Sequence, residues 1–543
     1  RNVIFKDIQD LPSRPIGSRT PESGLGVFDT TQQAVKARWI DIFNFKRYSD
    51  LNWLLNTVRN IPFCEEGIPS PELPFNCYEY AETPQDLFSK LNEWDSDSIV
   101  IPHGQSWGFH VPLGTSWDNR LNQIGHDPNK QFLLEVMSGH GNSEEYRDIA
   151  SVNFLQNNEM SCPEPSDNFL PCCWQAGEIQ KKRCDGLSSE ECDARIELAK
   201  KYTLEGGPYT NMVFPEAAPE EWLNCDQCTD CFKPSFNYRP KQSAQYALAI
   251  SNFEQSEDEP QRYNFGFIAS TDDHTARPGT GYKQYERRKM TFATGVKSKM
   301  WEYKYDAEDP NFPEIPEITP GESQPDGERV SSFVYPGGIL AVHANGRGKD
   351  QIWAALKNKN VYGTSGPRIL LWFNLINSPE GKVPMGSEII MSQNPRFQVK
   401  AAGSFKQNEG CSSESIDSLS SERLEYLCAG ECYNPSNERH IIERIEIIKI
   451  TPQSYAGEGI SPLIQDAWKE IQCQGTGECI VEFEDANYSR DSVYYVRAIQ
   501  EETPAINGAP LSERKDFKMC KGSFRTSLED NCLSMTNERA WSS

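Results

Sequence analysis

Histidine is scarce in this chain. There are seven in 543 residues, none before His103, and no His-x-His pair anywhere. Any site that needs imidazole must draw on a short list. Long apolar runs are also missing: Ile369-Leu370-Leu371-Trp372-Phe373 is among the longest and is strand-length, far below the ~20 residues of a membrane-crossing helix. Positive charge is in deficit, with 54 Lys and Arg against 79 Asp and Glu, a net charge of -25. Such a surface repels nucleic acid and anionic membranes and suits cations. Internal repeats and low-complexity tracts are absent. A signal-peptide pattern is absent too: Arg1-Asn2-Val3-Ile4-Phe5 reads as a strand already under way, which predicts a segment removed upstream.

Cysteine, by contrast, is plentiful. Seventeen occur, clustered at 64–77, 162–192, 225–231, 411–432, 473–479 and 520–532. This density predicts disulfides and an oxidising location: secreted, periplasmic or cell surface. Cys225-x-x-Cys228-x-x-Cys231 also has a spacing for zinc or an iron–sulfur cluster, but disulfides are the stronger reading in this context. An odd count leaves one thiol unpaired or joined to another chain, so a homo-oligomer is compatible with it. Asn487-Tyr488-Ser489 is a sequon for N-glycosylation.

The length predicts two to four domains. Residues 1–155 alternate strand and helix signals, including a capped helix after Thr83-Pro84 and apolar strands at 98–101 and 131–137. Residues 156–238 form a cysteine-rich insertion with one clear helix from Ser189. Alternation resumes over 239–365, with a helix from Ser243, strands at 263–270 and 337–342, and a helix at 349–357. Residues 366–543 read as a β-sandwich-like domain, with strands at 367–373, 396–401, 441–450 and 493–498 and a short helix at 463–470. The expected fold class is α/β: a partial or distorted (β/α) barrel, the insertion, and the C-terminal β-rich domain.

The strands of the α/β part share one grammar. An apolar run ends and a metal-competent side chain follows: His103 after 98–101, Glu135 within 131–137, Asp272 and His274 after 263–270. An α/β barrel builds its site at the carboxyl ends of parallel strands. Imidazoles and carboxylates on rigid elements, with a position left for water, are what a hydrolytic metal centre requires. We therefore take His103, Glu135, Asp272 and His274 as candidate metal ligands, with Glu135 able to bridge two cations. His140 and Glu144 are candidate catalytic groups, set in Ser138-Gly139-His140-Gly141-Asn142-Ser143-Glu144. Arg368, after the Gly-bracketed Thr364-Ser365, is a candidate for holding a small anionic substrate. Each has a plainer reading: a strand end, a surface charge, a turn hydrogen bond or, for Arg368, a domain-joining turn. His343, after the strand 339–342, has the same placement, but Asn345 and Arg347 beside it suit a simple loop better; His110, His126 and His440 default to structural roles.

Several phrases occur in an order that resembles a known family: Arg1-Asn2-Val3-Ile4-Phe5, Ile101-Pro102-His103-Gly104, His140-Gly141-Asn142-Ser143-Glu144, Phe267-Ile268-Ala269-Ser270-Thr271-Asp272-Asp273-His274, Thr364-Ser365-Gly366-Pro367-Arg368 and Tyr495-Val496-Arg497. Together they resemble domain-of-unknown-function family 3604, which looks related to the polymerase-and-histidinol-phosphatase (PHP) superfamily of metal-dependent hydrolases. The resemblance spans nearly the whole chain apart from the insertion. It implies a distorted barrel of PHP type, two or three zinc, manganese or iron ions, and phosphoester hydrolysis. His103, Glu135, Asp272 and His274 match the later ligand motifs. The early His-x-His and Asp-His motifs are not in this chain, which implies that the remaining ligands come from an N-terminal fragment of the same precursor. The expected function is an exported divalent-metal-dependent phosphoesterase. The alternatives are a non-catalytic extracellular structural or binding protein on a hydrolase-like scaffold, and a metal-dependent sulfate-ester or amide hydrolase.

Overall fold

A computed structural model describes residues 2–7, 16–18, 20, 49–50, 53–54, 56–57, 60–94, 96–106, 111, 113–122, 124–139, 141–155, 159–206, 213–214, 217, 219–232, 238–271, 337–506 and 533–543. The first region opens with β1 (Asn2–Phe5), which pairs antiparallel with β2 (Ser98–Ile101). Between them lies α1 (Pro84–Asn92). Its start is set by a capping box: the Thr83 hydroxyl accepts from the Asp86 amide, and the Asp86 carboxylate accepts from the Thr83 amide. Pro84 occupies the first turn, where a missing N–H costs nothing. Phe88 and Leu91 then fall on one face and pack on Val100.

Next come β3 (Leu133–Ser138), wholly buried, and the two-residue β4 (Gly141–Asn142). The insertion follows, with α2 (Cys172–Lys181) and α3 (Ser189–Gly206). Four disulfides lie here: Cys162–Cys173, Cys172–Cys225, Cys184–Cys192 and Cys228–Cys231. The Cys225-x-x-Cys228-x-x-Cys231 run is thus divided between two disulfides. After it come α4 (Ala244–Ala249), β5 (Gly266–Ala269), β6 (Ile339–Val342), α5 (Lys349–Lys357) and β7 (Val361–Thr364).

The C-terminal region is sheet-rich. It holds β8 (Leu370–Ser378), β9 (Gly381–Pro384), β10 (Arg396–Ala402), β11 (Ile442–Ile450), β12 (Ile464–Gln472), β13 (Glu478–Glu484), β14 (Val493–Ile506) and β15 (Leu533–Ser542). A six-stranded sheet runs β6-β7-β15-β14-β11-β12, and a four-stranded sheet runs β9-β8-β10-β13. Leu371, Phe373, Phe397 and Val399 from the smaller sheet meet Ile445, Ile447, Val496 and Ala498 from the larger in one core. The other face of the larger sheet is covered as well. Ile448, Ile450, Tyr495 and Trp541 pack with Leu134, Val136, Phe267 and the residues of α4. The period-2 alternation of a strand explains how Ile445-Glu446-Ile447-Ile448-Lys449-Ile450 feeds both cores.

These connections overturn the expected barrel. The apolar strands at 98–101, 133–138, 266–269 and 339–342 are present, yet β2 is antiparallel to β1, and β6 is antiparallel to β7 within the C-terminal sheet. Only β3 and β5 pair in parallel among the described strands. A barrel of PHP type would need ~8 parallel strands, each backed by a helix. A run of four apolar residues shows burial but carries no direction, so the shared grammar of strand and polar end did not specify parallel neighbours. The short helix expected at 463–470 is also corrected. Residues 464–472 form β12, an edge strand on β11. Its pairing with β11 shifts register between Ile447 and Lys449, where Ala467 takes a left-handed φ of 49°, and Ile471 and Trp468 are partly buried against the core between the sheets. In the insertion, α2 is a second helix besides the expected one.

The disulfide Cys172–Cys225 closes a 53-residue separation beneath α2. Replacing both cysteines with serine should destabilise the insertion by about 4 kcal/mol on the loop-entropy argument. Urea unfolding followed through limited proteolysis of residues 160–232 will measure it.

Candidate functional site

The carboxyl end of the parallel β3–β5 pair gathers three of the chain's polar groups. Leu134 and Val136 of β3 point into the core against the large sheet, so Leu133 and Glu135 point to the opposite face. That face carries Ile99 and Ile101 of β2, Ile268 of β5 and Trp353 of α5. Glu135 is 2% exposed there. Its Oε2 accepts from His103 Nδ1 at 2.7 Å, and its Oε1 accepts from the Ser270 hydroxyl. His103 reaches it because Pro102 ends β2 immediately beforehand. Ser270 reaches it because β5 has just ended, with the Ser270 amide bonded to Met137 O at 2.9 Å. The returning chain closes on the same place: Gly338 N donates to Ser270 O at 2.8 Å. A Cβ on Gly337 would lie 2.4 Å from Thr271 Cα, which only glycine avoids.

Of the four candidate ligands, His103 and Glu135 are thus in contact. Asp272 and His274 lie outside the described residues, directly after Thr271 in the chain, and His140 also lies outside them. Sequence reasoning missed Ser270 as a partner of Glu135; its position ahead of Thr271-Asp272 was the available signal.

Glu144 is elsewhere. It is fully buried and faces the large sheet. Its Oε1 accepts from Arg497 Nε at 2.6 Å and from the Tyr495 hydroxyl at 2.5 Å, and its Oε2 accepts from the Trp541 indole N–H. Glu446, Arg497 and Trp541 form a cross-strand row, with Glu446 opposite Arg497 on β11 and β14 and Trp541 opposite Arg497 on β15. Arg497 also pairs with Glu446 at 3.1 Å and with Asp466 at 2.6 Å. Arg147 extends the cluster to Glu145, Asp230 and Asp466 at 3.3, 2.9 and 3.1 Å. Gln245 ties it in, donating to Tyr495 Oη at 2.8 Å and accepting from the Tyr146 amide at 2.7 Å. Removal from water pushes the Glu144 carboxyl up to about 7, against the pull of Arg497 and with repulsion from Glu145 and Asp466. Burial also works against Asp466 and Glu446, but the surrounding arginines hold both below the ordinary range.

This arrangement makes Glu144 a clamp between the α/β part and the central sheet. Its signal in the sequence was an arginine at an inward position of an apolar strand, Tyr495-Val496-Arg497-Ala498, which demands a buried acid.

Arg368 is exposed and lies over the Tyr433 ring, 4.0 Å from its centroid. The preceding turn is held internally. Thr364 Oγ1 accepts from Gly366 N at 3.2 Å, and the Ser365 hydroxyl donates to Glu538 and accepts from Arg539 N at 2.9 Å. The other described histidines have local partners: His343 bonds Leu371 O at 2.8 Å, His440 bonds Glu501 at 2.8 Å, and His126 meets the rings of Tyr263 and Phe265 edge-on.

Residues 246–408 match the family model described as protein of unknown function, DUF3604. The DUF3604 match begins in α4 and runs past β10, so it takes in Ser270, Asp272, His274 and Arg368. His103, Glu135 and Glu144 lie outside it. No curated protein and no solved structure matches the chain.

Two outcomes test the clamp. Arg497→Met leaves buried carboxylates without their cation and should cost about 3–5 kcal/mol, read from urea unfolding at neutral pH. The Glu144 carboxyl titrates higher in the folded chain, at about 7, than its ordinary 4.5. Its contribution is therefore complete below pH 4.5 and is lost as pH rises through about 7. Glu144→Gln should flatten the pH dependence of unfolding free energy between those values, leaving the acid-side dependence of Asp466 and Glu446 below it.

Proposed function

We propose that this chain is a secreted divalent-metal-dependent hydrolase acting on phosphate esters. The observation that carries the reading is the His103–Glu135–Ser270 cluster at the end of the parallel strand pair, with Asp272-x-His274 following in sequence. With the Glu135 carboxylate as acceptor, His103 donates from Nδ1. That bond fixes the tautomer that carries its lone pair on Nε2, the form of imidazole that ligates metals. Ser270 holds the second carboxylate oxygen and stops the group from rotating. The His103 imidazole, left open at Nε2 and oriented by Glu135, fits as a ligand to a zinc, manganese or iron ion. In this arrangement Glu135 orients His103, in place of the bridging role expected from sequence.

A bound divalent cation supplies a water of lowered pKa and polarises the ester. Asp272 and His274 are the further ligands this reading assigns, together with residues from an N-terminal fragment of the same precursor. The substrate is a small anion. Phosphate ester is preferred over sulfate ester or amide on the resemblance to the PHP superfamily, a relation that is itself part of the proposal. Export is supported by the disulfides, because such bonds persist in oxidising surroundings; no described helix is long and apolar enough to cross a membrane.

A second reading, a non-catalytic binding protein on a hydrolase-like scaffold, is favoured by one observation. Glu144, a candidate catalytic group, is wholly engaged in the ion cluster.

The test is metal analysis of the purified chain, followed by a panel of phosphate mono- and diesters, sulfate esters and amides with added zinc, manganese or iron. Bound metal and phosphoesterase turnover are expected, with His103→Ala and Glu135→Gln each lowering metal affinity about 10–100-fold. A folded chain that takes up no metal and turns over no substrate supports the binding protein instead.

A further inference from the structure

The cysteines at 411–432 do not resolve into pairs. The other twelve described cysteines form six disulfides. Cys411, Cys428 and Cys432 remain, with their sulfurs all within 4.8 Å of one another. A disulfide joins two sulfurs, so three in one place leave a third beside the bond. Cys432 has two partners at bonding separation: its Cα is 4.9 Å from that of Cys411 and 5.3 Å from that of Cys428, both inside the 4.4–6.8 Å range of disulfides. The sulfurs of Cys411 and Cys428 are themselves 3.6 Å apart.

We propose that Cys411, Cys428 and Cys432 form a thiol–disulfide exchange site, in which Cys432 alternates between the other two and the displaced sulfur reacts with a small external disulfide. The fold assigns the resting form. Cys428 ends the helix Ser421–Cys428, is 8% exposed, and bonds Leu424 O at 3.2 Å, which a thiol does by donating its proton. A helix carboxyl end disfavours a thiolate. The resting bond is therefore Cys411–Cys432, which closes the base of the helical hairpin 413–428. Exchange begins when the Cys428 sulfur gives up its proton and attacks Cys432 Sγ. The Cys428–Cys432 bond forms, the Cys411–Cys432 bond breaks, and the electron pair leaves on Cys411, which takes a proton. No oxidant is consumed.

Cys411 and Cys432 are partly exposed, and the hairpin presents Ile416 and Tyr426 to solvent, each 56% exposed. A small disulfide can therefore reach the displaced Cys411. Attack by its thiolate on one sulfur of that reagent makes a mixed disulfide and releases the other half as a thiol.

The experiment uses the full chain purified without reductant. It is trapped with N-ethylmaleimide in denaturant, digested, and mapped by mass spectrometry without reduction. The expected result is one label on this trio per chain, mainly on Cys428 with a minor share on Cys411, and both Cys432 linkages detected. Cys428→Ser should leave only Cys411–Cys432 with no label on the trio, and Cys411→Ser only Cys428–Cys432. Incubation with 2-hydroxyethyl disulfide should add one mixed disulfide to the trio in the parent chain and none in either variant. A single invariant linkage, a third sulfur bonded outside the trio, or three labelled thiols with stoichiometric zinc would each overturn the proposal.

Discussion

The buried pairing of Glu144 with Arg497 is the constraint on which the rest of the molecule depends. An arginine inside a sheet covered on both faces has no water to solvate it, so the layer packed on that sheet must bring the acid. Glu144 does so, and the Tyr495 hydroxyl and Trp541 indole complete its shell. The consequence is positional. Glu144 stands two residues beyond β4, and β4 is hydrogen-bonded to the end of β3. Fixing Glu144 against β14 therefore fixes β3, and with it Glu135 on the opposite face. The ion cluster and the His103–Glu135–Ser270 cluster are two sides of one strand arrangement, one locking layers together and one facing the strand ends.

Burial acts differently on these two groups of acids. Around Arg497 the carboxylates share cations, and the cost of leaving water is offset only as a set, which is why removing one partner strands the others. At Glu135 the partners are an imidazole and a hydroxyl, which hold the carboxylate in place while His103 remains partly exposed. The cysteine-stapled insertion serves the first group too: Asp230, between Cys228 and Cys231, pairs with Arg147. Disulfides in a segment with a small core restrict the unfolded chain and hold such a charge where it is needed.

Much of the local structure was legible from residues alone. Thr83-Pro84 announced α1, and the apolar runs at 98–101, 131–137 and 263–270 announced strands. Proximity of His103 to Glu135 was legible as well, because both were placed at strand ends with chemistry in common. Direction and register were not. A four-residue apolar run is compatible with either sense of pairing, so β2 and β6 were assigned to a barrel they do not build. The short helix expected at 463–470 is instead β12, whose hydrogen bonds to β11 come from residues distant in sequence.

Residue order fixes the chemistry: an acidic, cysteine-rich chain with few histidines, strands of the right length, and a short set of groups able to ligate or catalyse. Which of those groups meet is settled by packing. Glu144 and Glu135 lie nine positions apart and look equivalent in the chain, yet one is enclosed by Arg497, which is 353 residues away, and the other by His103 and Ser270. Partners at such separations are selected by strand order and by the face each residue takes. Those follow from which surfaces bury one another when the layers pack, and no local window of sequence contains that information.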